Sequence, residues 1–172
     1  SPFLNTNQKL EKIANMAVWV GRLDKQKNPF ELFKIWEKLK TDWQLYVLGR
    51  GPYESELKNK CREYNLSEKI YFVGNTDPRE YYEKATLICQ TSIFEGLPMA
   101  LIEALQYGCI PIIYNSYPAA VDFVLNKNGY LVESGDYEKY AKFLDELFLD
   151  KTKIKSMAEG SYSLSSKYSV EG

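Results

Sequence analysis

Two carboxylates, Glu95 and Glu103, bracket the segment Glu-Gly-Leu-Pro-Met-Ala-Leu-Ile-Glu, whose other residues are apolar, small or turn-forming. Pro98 is suited to the first turn of a helix, where its missing N–H group is no loss. A helix that starts there would present free backbone N–H groups, which bind anions with the help of the helix dipole. These N–H groups would belong to Leu97, Met99 and Ala100. The segment therefore predicts an anion site with a carboxylate on either side.

Each glutamate also has a purely structural interpretation. Glu103 would lie about one and a half turns into an apolar helix. A buried carboxylate there needs a partner, which could be a core Lys or Arg. Glu95 could be a solvated loop acid. Taken with Gly96 and Pro98, however, the two acids favour a polyol-binding site in which both line one pocket, because carboxylates accept hydrogen bonds from sugar or ribose hydroxyls.

A second set of polar residues follows the first apolar run, in the loop 21–28. Arg22 and Lys27 are placed to face a common anion, since Arg offers a planar fork to phosphate oxygens and Lys a point charge. The competing interpretation is an ordinary solvated surface loop.

The loop 49–54 begins like a dinucleotide-binding fingerprint. Glu54, however, stands where the third glycine would be, and Pro52 lacks a backbone donor. The sequence thus argues against a dinucleotide-binding enzyme. Its two glycines, Gly49 and Gly51, indicate a tight turn or a close backbone approach to a ligand.

Short apolar runs alternate with segments of helical period along the chain. The runs that predict strands span 16–20, 44–48, 69–73, 86–90, 110–114 and 130–132. The segments that predict helices span 28–40, 54–65, 77–84, 98–107, 118–125, 136–149 and 151–167. This alternation predicts the α/β class: one Rossmann-like, three-layer α/β/α domain with a parallel sheet over residues 1–172. Ligands of such sheets lie at the carboxyl ends of the strands, here in the loops 21–28, 49–53, 74–78, 91–98 and 115–118.

The composition limits the partners and the kinds of catalytic site that we expect of this chain. The chain has 172 residues, 45% of them hydrophobic and 26% charged, with a net charge of -1, so we expect a globular protein that does not bind nucleic acid. It has no histidine, which excludes Ser-His-Asp triads, Cys-His pairs and histidine-based metal sites within this chain. It also has no Asp-x-Asp sequence, so that motif for binding metal and phosphate is absent. We therefore expect no metal and no cofactor, and any chemistry must use carboxylates, Lys, Arg and backbone dipoles.

Cysteine usage and hydropathy bear on the compartment. Three cysteines without a C-x-x-C spacing indicate a reducing, cytoplasmic environment. No run of 18 or more apolar residues occurs and no signal peptide is visible, so we expect no transmembrane segment. The chain starts at Ser1 and not at Met, which suggests a fragment or a processed chain.

Four stretches together resemble a known family: Val-Gly-Arg-Leu-Asp-Lys-Gln-Lys-Asn (20–28), Val-Leu-Gly-Arg-Gly-Pro (47–52), Phe-Glu-Gly-Leu-Pro-Met-Ala-Leu-Ile-Glu-Ala (94–104) and Asn-Gly-Tyr-Leu-Val-Glu-Ser-Gly-Asp (128–136). The third has the spacing of glutamate, seven residues, glutamate. The chain is similar to the C-terminal domain of the retaining, GT-B fold glycosyltransferases of family 4, also called glycosyl transferases group 1. The resemblance runs from residue 18 to about residue 171.

The resemblance implies roles for matching positions. Arg22 and Lys27, in the loop that starts at Gly21, would hold the donor diphosphate, and Glu95 would bind hydroxyls of the donor sugar. Arg22, Lys27 and Glu95 are thus the candidate catalytic residues, and Glu103 would bind the ribose hydroxyls. The remaining candidate binding residues are the sugar- or phosphate-facing backbone at Gly96, Leu97, Pro98 and Met99, and the base-facing Gly74 and Asn75.

The chain departs from the family pattern in two respects. Where many members carry an acid after the fifth strand, this chain reads Pro-Ala-Ala-Val-Asp (118–122), so Asp122 is either that acid displaced by one residue or an acid that serves only the helix. The N-terminal, acceptor-binding domain is absent from this chain, and 168–172 resembles the start of the helix that would return to it. Membrane association would then depend on that other domain.

The function implied by the resemblance is binding of a nucleotide-diphosphate sugar, for transfer of a hexosyl unit to a glycan or lipid-linked acceptor by the full-length, cytoplasmic enzyme. We expect the chain alone to be inactive. Two alternatives stay open: a non-catalytic binding module derived from the GT-B fold, and a nucleotide-sugar epimerase of that fold.

Overall fold

The computed structural model describes residues 11–168. Its strands are β1 (Ile13–Val20), β2 (Gln44–Leu48), β3 (Ile70–Gly74), β4 (Ala85–Gln90), β5 (Ile110–Tyr114) and β6 (Tyr130–Val132). Its α-helices are α1 (Glu31–Trp36), α2 (Glu54–Glu63), α3 (Arg79–Lys84), α4 (Met99–Gln106), α5 (Tyr137–Phe148) and α6 (Lys151–Ser165), and a 3-10 helix spans Pro118–Val124.

The six strands form one sheet in the order β3-β2-β1-β4-β5-β6, and every neighbouring pair is parallel. The first three strands run outward from β1 in one direction, and the last three run outward from β4 in the other. The boundary between β1 and β4 is therefore the topological switch point, where open α/β sheets bind ligands at the carboxyl ends of their strands. The predicted parallel α/β sheet is confirmed.

A hydrophobic core lies on each face of the sheet. Alternation along β1 sends Ala17 and Trp19 into one core and Met16 and Val18 into the other. The first core contains buried side chains of α1, α2 and α5, and the second contains those of α3, α4 and the 3-10 helix. The α/β/α layering predicted from the sequence is thus confirmed, with a fully buried sheet centre.

Two predicted helices differ from those observed. The helix predicted over 28–40 is only Glu31–Trp36, because Asn28 adopts a left-handed conformation with φ of 55° and cannot continue a helix. After Trp36 the chain tightens into turns in which the N–H of Leu39 donates to the Trp36 carbonyl at 3.2 Å. The segment predicted as a helix over 118–125 is a 3-10 helix, Pro118–Val124.

Apart from Tyr168, the predicted start of a further helix at 168–172 lies outside the described residues. Within residues 11–168, no helix combines the length and the apolar character that crossing a membrane requires.

Candidate functional site

The loops that follow β1 and β4 are tied together at the switch point. The indole N–H of Trp19 donates to the Thr91 hydroxyl oxygen at 3.1 Å, and that hydroxyl donates to the Asn28 carbonyl at 3.0 Å. The backbone N–H of Ile93 donates to the Gln26 carbonyl at 2.8 Å. Because these bonds join segments far apart in sequence, they hold the two loops in one fixed frame above the ends of both strands.

Lys27 and Glu95, one from each loop, form an ion pair inside that frame. The ammonium nitrogen lies 2.6 Å from Oε1 and 2.9 Å from Oε2 of the carboxylate. The Ser92 hydroxyl donates to Oε1 at 3.0 Å. The Glu95 side chain is only 6% exposed and that of Lys27 is 27% exposed. The structure therefore places the predicted phosphate-binding lysine and the predicted sugar-binding acid in direct contact, which the sequence did not predict.

Buried and half-buried polar side chains lie around this pair. The Ser116 hydroxyl donates to the Ser92 carbonyl at 2.6 Å, which holds the residue that contacts Glu95. The Tyr117 hydroxyl donates to Gln90 Oε1 at 2.7 Å. Burial, and then the charge of Glu95, raises the pKa of Tyr117 above its ordinary value, so its hydroxyl remains protonated and able to donate.

None of these supporting side chains was predicted from the sequence. Ser92 precedes Glu95 by three residues, a spacing that carries no signal in a loop. The contact of Ser116 with Ser92 depends on β4 and β5 being neighbours in the sheet. These residues could be found only once the strand order was known.

Arg22 lies beside a different cavity from that of Lys27. A cavity of about 300 Å³ is lined by Val20, Gly21, Arg22, Leu48, Gly49, Arg50, Asn75 and Thr76. A smaller cavity of about 30 Å³ is lined by Lys27 and Glu95 together with the start of α4. Val20 lines both cavities, so they are neighbours. Arg22 and Lys27 therefore line two neighbouring cavities. Their predicted common role had suggested a single shared cavity.

The Arg22 side chain is 67% exposed, and its Nε lies 3.5 Å from Asp24 Oδ2. A surface pair of this kind contributes little to stability. The guanidinium is therefore available to an anion that enters the larger cavity.

The glycines after β2 serve contacts between loops. Gly49 has a φ of +136°, and a Cβ there would lie 1.8 Å from the Gly21 carbonyl oxygen. A Cβ on Gly51 would lie 2.5 Å from the Leu23 carbonyl oxygen. The N–H of Leu23 donates to the Arg50 carbonyl at 2.9 Å. The sequence left open a tight turn or a close backbone approach to a ligand. In the structure, these glycines allow a close approach to a neighbouring loop of the same chain.

The predicted base-facing residues lie at the end of β3. Gly74 is in a left-handed conformation with φ of +85°, and its carbonyl accepts the N–H of Gly49 at 2.9 Å. Asn75 and Thr76 line the larger cavity. Thr76 was not singled out from the sequence.

The start of α4 differs in one detail from the predicted anion site. Pro98 caps the helix, which begins at Met99. The N–H of Met99 donates to the Leu97 carbonyl at 2.9 Å and is therefore not free. Within the described part of the chain, the N–H groups of Ala100 and Leu101 have no backbone or side-chain acceptor. Of the three predicted donors, only the N–H of Met99 is thus occupied; in the described part of the chain those of Leu97 and Ala100 are free, and Leu101 adds one that was not predicted.

The residues just before α4 are open to solvent. A Cβ added to Gly96 would meet nothing within 4 Å, so packing within this chain does not require glycine there. Large apolar side chains around it are also exposed, namely Ile93, Phe94, Leu97 and Met99. This surface borders the smaller cavity.

Glu103 is half-buried on α4 and lines neither of the two cavities. Among residues 11–168 it forms no hydrogen bond and no ion pair within 4 Å, so neither a core Lys nor a core Arg compensates it. Partial exposure leaves the carboxylate in contact with water, so it does not need such a partner. Burial, and then the Glu103 charge, raises the pKa of Tyr82 on α3. The expectation that both glutamates line one pocket is not met.

Two further observations concern Asp122 and metal binding. Asp122 is exposed on the 3-10 helix and lines neither cavity. Across residues 11–168, no three carboxylate or thiol side chains are grouped so that they could hold a metal ion.

The comparisons with known proteins agree with the fold and the motifs. The family described as glycosyl transferases group 1 matches residues 4–163. The amylovoran biosynthesis glycosyltransferase AmsD of Erwinia amylovora is 32% identical over 159 residues, which are 91% of this chain and 45% of that protein. The chain thus spans about half the length of this relative.

Two solved structures share the fold. The C-terminal domain of a glycosyl transferase group 1 family protein (LpcC) from Francisella tularensis is 26% identical, with a TM-score of 0.78 over 91% of this chain and 87% of that chain. The pneumococcal O-GlcNAc transferase GtfA, in complex with UDP and GlcNAc, has a TM-score of 0.84 at 20% identity, over 92% of this chain and 33% of that one. With the family match over most of its length, the chain belongs to the glycosyl transferases group 1 family.

Proposed function

We propose that this chain is the donor-binding domain of a retaining glycosyltransferase. The full-length enzyme would transfer a hexosyl unit from a nucleotide-diphosphate sugar to a glycan or lipid-linked acceptor. The observation that carries this proposal is the Lys27–Glu95 pair beside the unpaired N–H groups at the start of α4. It combines a cation, backbone donors and a carboxylate within one small site at the switch point of the sheet.

The chemistry follows from where charge develops. When the anomeric C–O bond of the donor breaks, its electron pair moves to the diphosphate oxygen. Lys27, Arg22 and the N-terminal end of α4 stabilise that negative charge, because such groups act most strongly when held in place before the reaction. These cations supply the positive charge, so the proposal requires no metal ion. The acceptor hydroxyl oxygen forms the new bond to the anomeric carbon from the face that the diphosphate leaves, and its proton passes to the departing phosphate oxygen, so no protein nucleophile is required.

Glu95 would orient the donor sugar. Lys27 and Ser92 together occupy part of the carboxylate and fix its direction. An ionised carboxylate has about four acceptor sites, so it can still accept sugar hydroxyls in this arrangement. The open space at Gly96 supports the proposal, because a sugar can approach the backbone there without displacing any side chain. Glu103 remains our candidate for the ribose hydroxyls.

The remaining parts of the proposal rest on family membership and on the named relatives. Amylovoran biosynthesis by AmsD supports a polysaccharide acceptor, and the UDP in the pneumococcal structure supports a nucleotide-sugar donor. Retention of anomeric configuration follows the family. We place the acceptor, and any contact with a membrane, on a separate N-terminal domain of the cytoplasmic full-length protein.

A thermal-shift titration with UDP, GDP, ADP and their common sugar conjugates tests donor binding. A nucleotide at 100 times its Kd should raise stability by about 2.7 kcal/mol, or roughly 5–10 °C in Tm. Arg22→Ala and Glu103→Ala should reduce this shift. Arg62→Ala, an exposed change on α2 that lines neither cavity, serves as the matched control and should preserve it.

Activity of the full-length protein tests the transfer itself. We expect a product with retained anomeric configuration by NMR, and no turnover by residues 1–172 alone. Failure of every nucleotide to bind the full-length protein would contradict the proposal and favour a non-catalytic module. Formation of an inverted sugar stereocentre without any acceptor would instead indicate an epimerase.

A further inference from the structure

Arg50 is the one side chain of the larger cavity that carries a full charge and has no role in the scheme above. Its Nη1 lies 2.9 Å from both carboxylate oxygens of Glu54, four residues later on the first turn of α2. Its Nη2 lies 2.9 Å from the point that a Cβ on Gly74 would occupy. The guanidinium is thus held at one edge by a carboxylate and lies against backbone that has no side chain.

Because of this arrangement, we expect Arg50 to bind anions weakly but to offer a flat surface on which a ring can stack. Glu54 already compensates the charge of Arg50, and the Arg50 side chain is still 59% exposed. A guanidinium whose edge is occupied and that lies against a glycine keeps its remaining planar face, which can stack on an aromatic ring. Arg groups of this kind commonly stack against nucleobases.

The position of the cavity indicates which part of the ligand reaches Arg50. Lys27, Glu95 and the start of α4 line the smaller cavity, and Val20 lines both cavities. A nucleotide sugar with its diphosphate near Lys27 and its sugar at Glu95 extends its nucleoside into the larger cavity. At about 300 Å³, that cavity is at the small end of typical ligand sites. Arg22, which lines the same cavity, would reach the diphosphate, whereas Arg50 lies over Gly74, a residue expected to face the base. Arg50 is therefore placed beside the nucleoside.

We infer that Arg50 forms the stacking surface for the nucleobase and that Glu54 is the positioning residue that holds its guanidinium flat. This inference rests on the proposed donor-binding function. It adds a residue that contributes affinity through the base, independently of the diphosphate.

Isothermal titration of UDP and of inorganic pyrophosphate tests the inference on four variants: Arg50→Ala, Arg50→Lys, Glu54→Gln and the control Arg62→Ala. Arg50→Ala should weaken UDP binding about fivefold, as expected for an exposed cation–aromatic contact. Arg50→Lys should weaken it to a similar degree, because it keeps the charge but loses the plane. Glu54→Gln should give a smaller loss. All variants should bind pyrophosphate like the wild type.

Two outcomes would overturn the inference alone. An equal loss of UDP and pyrophosphate affinity in Arg50→Ala would show a phosphate contact. Full UDP affinity in Arg50→Lys would show that only charge matters. Failure of the wild type to bind any nucleotide is a separate result, which would remove both the inference and the proposed function. Unchanged urea midpoints across the variants would exclude a general loss of folding.

Discussion

Replacing Lys27 by Met would remove the ammonium group that contacts both oxygens of Glu95 and keep a side chain of similar length. The carboxylate is only 6% exposed, and the hydroxyl of Ser92 would be its remaining side-chain donor. A buried charge that loses its counter-ion is destabilising because water cannot replace the lost partner. We therefore expect a less stable protein as well as a loss of donor binding.

The magnitude follows from burial. Removing one partner of a fully buried pair costs about 3–5 kcal/mol. Lys27 is 27% exposed and the Ser92 bond remains, so we expect about 2–3 kcal/mol. For a chain of this size that corresponds to a fall in Tm of roughly 5–10 °C. The double variant Lys27→Met with Glu95→Gln removes the uncompensated charge and should recover to within about 1–2 kcal/mol of the wild type.

Urea unfolding followed by far-UV circular dichroism measures these differences. Lys60→Met is the matched control, since Lys60 pairs with Glu63 at 3.4 Å on the exposed face of α2 and should change stability by less than about 1 kcal/mol. Equal destabilisation by Lys27→Met and Lys60→Met would refute the reasoning. So would a double variant less stable than the single Lys27→Met variant.

Further predictions concern the backbone and an exposed carboxylate. Gly49→Ala should destabilise the fold by more than about 4 kcal/mol in urea unfolding, because its Cβ would lie 1.8 Å from the Gly21 carbonyl. Gly135→Ala, where φ is +83° and a Cβ meets nothing within 4 Å, should cost only about 1–2 kcal/mol, and equal costs would contradict the clash. The Arg79 guanidinium, and then the Arg79 backbone N–H, lower the pKa of Asp77 to about 2, so carboxyl NMR should show its midpoint there in the wild type. In Arg79→Ala the midpoint should rise but stay below 3.8, because the backbone N–H still donates to the carboxylate. Because the folded-state pKa is lowered, the stability from this pair is present above about pH 4 and lost as pH falls towards 2. An unchanged midpoint in Arg79→Ala would contradict the pairing.

The elements were largely predictable because their signals are local. All six predicted strands occur, as do the longer helices, since apolar runs and helical periods reflect which face each segment buries. The first helix was predicted too long because the apolar period continues through 28–40. The left-handed Asn28 prevents the helix from starting earlier, and the turns after Trp36 end it. Backbone conformation at single residues overrode the side-chain pattern there.

The candidate site was predicted in part. The sequence placed Arg22, Lys27 and Glu95 at the carboxyl edge, because parallel strands bring their following loops to one side of the sheet. It did not predict that Lys27 and Glu95 touch, that Glu103 lines neither cavity, or that Arg50 lies over Gly74. Each of these facts depends on loop paths and not on residue types.

The sequence by itself determined the fold class, the order of strands and helices along the chain, the family and the set of polar groups that can act at the site. Only the tertiary structure decided how those groups combine. Lys27 and Glu95 are 68 residues apart, and they meet because β1 and β4 are neighbours in the sheet. Local propensities act over a few residues, whereas strand adjacency is a property of the whole packed chain. The contacts that would perform the chemistry are therefore long-range, and they exist only when both layers of helices hold the sheet.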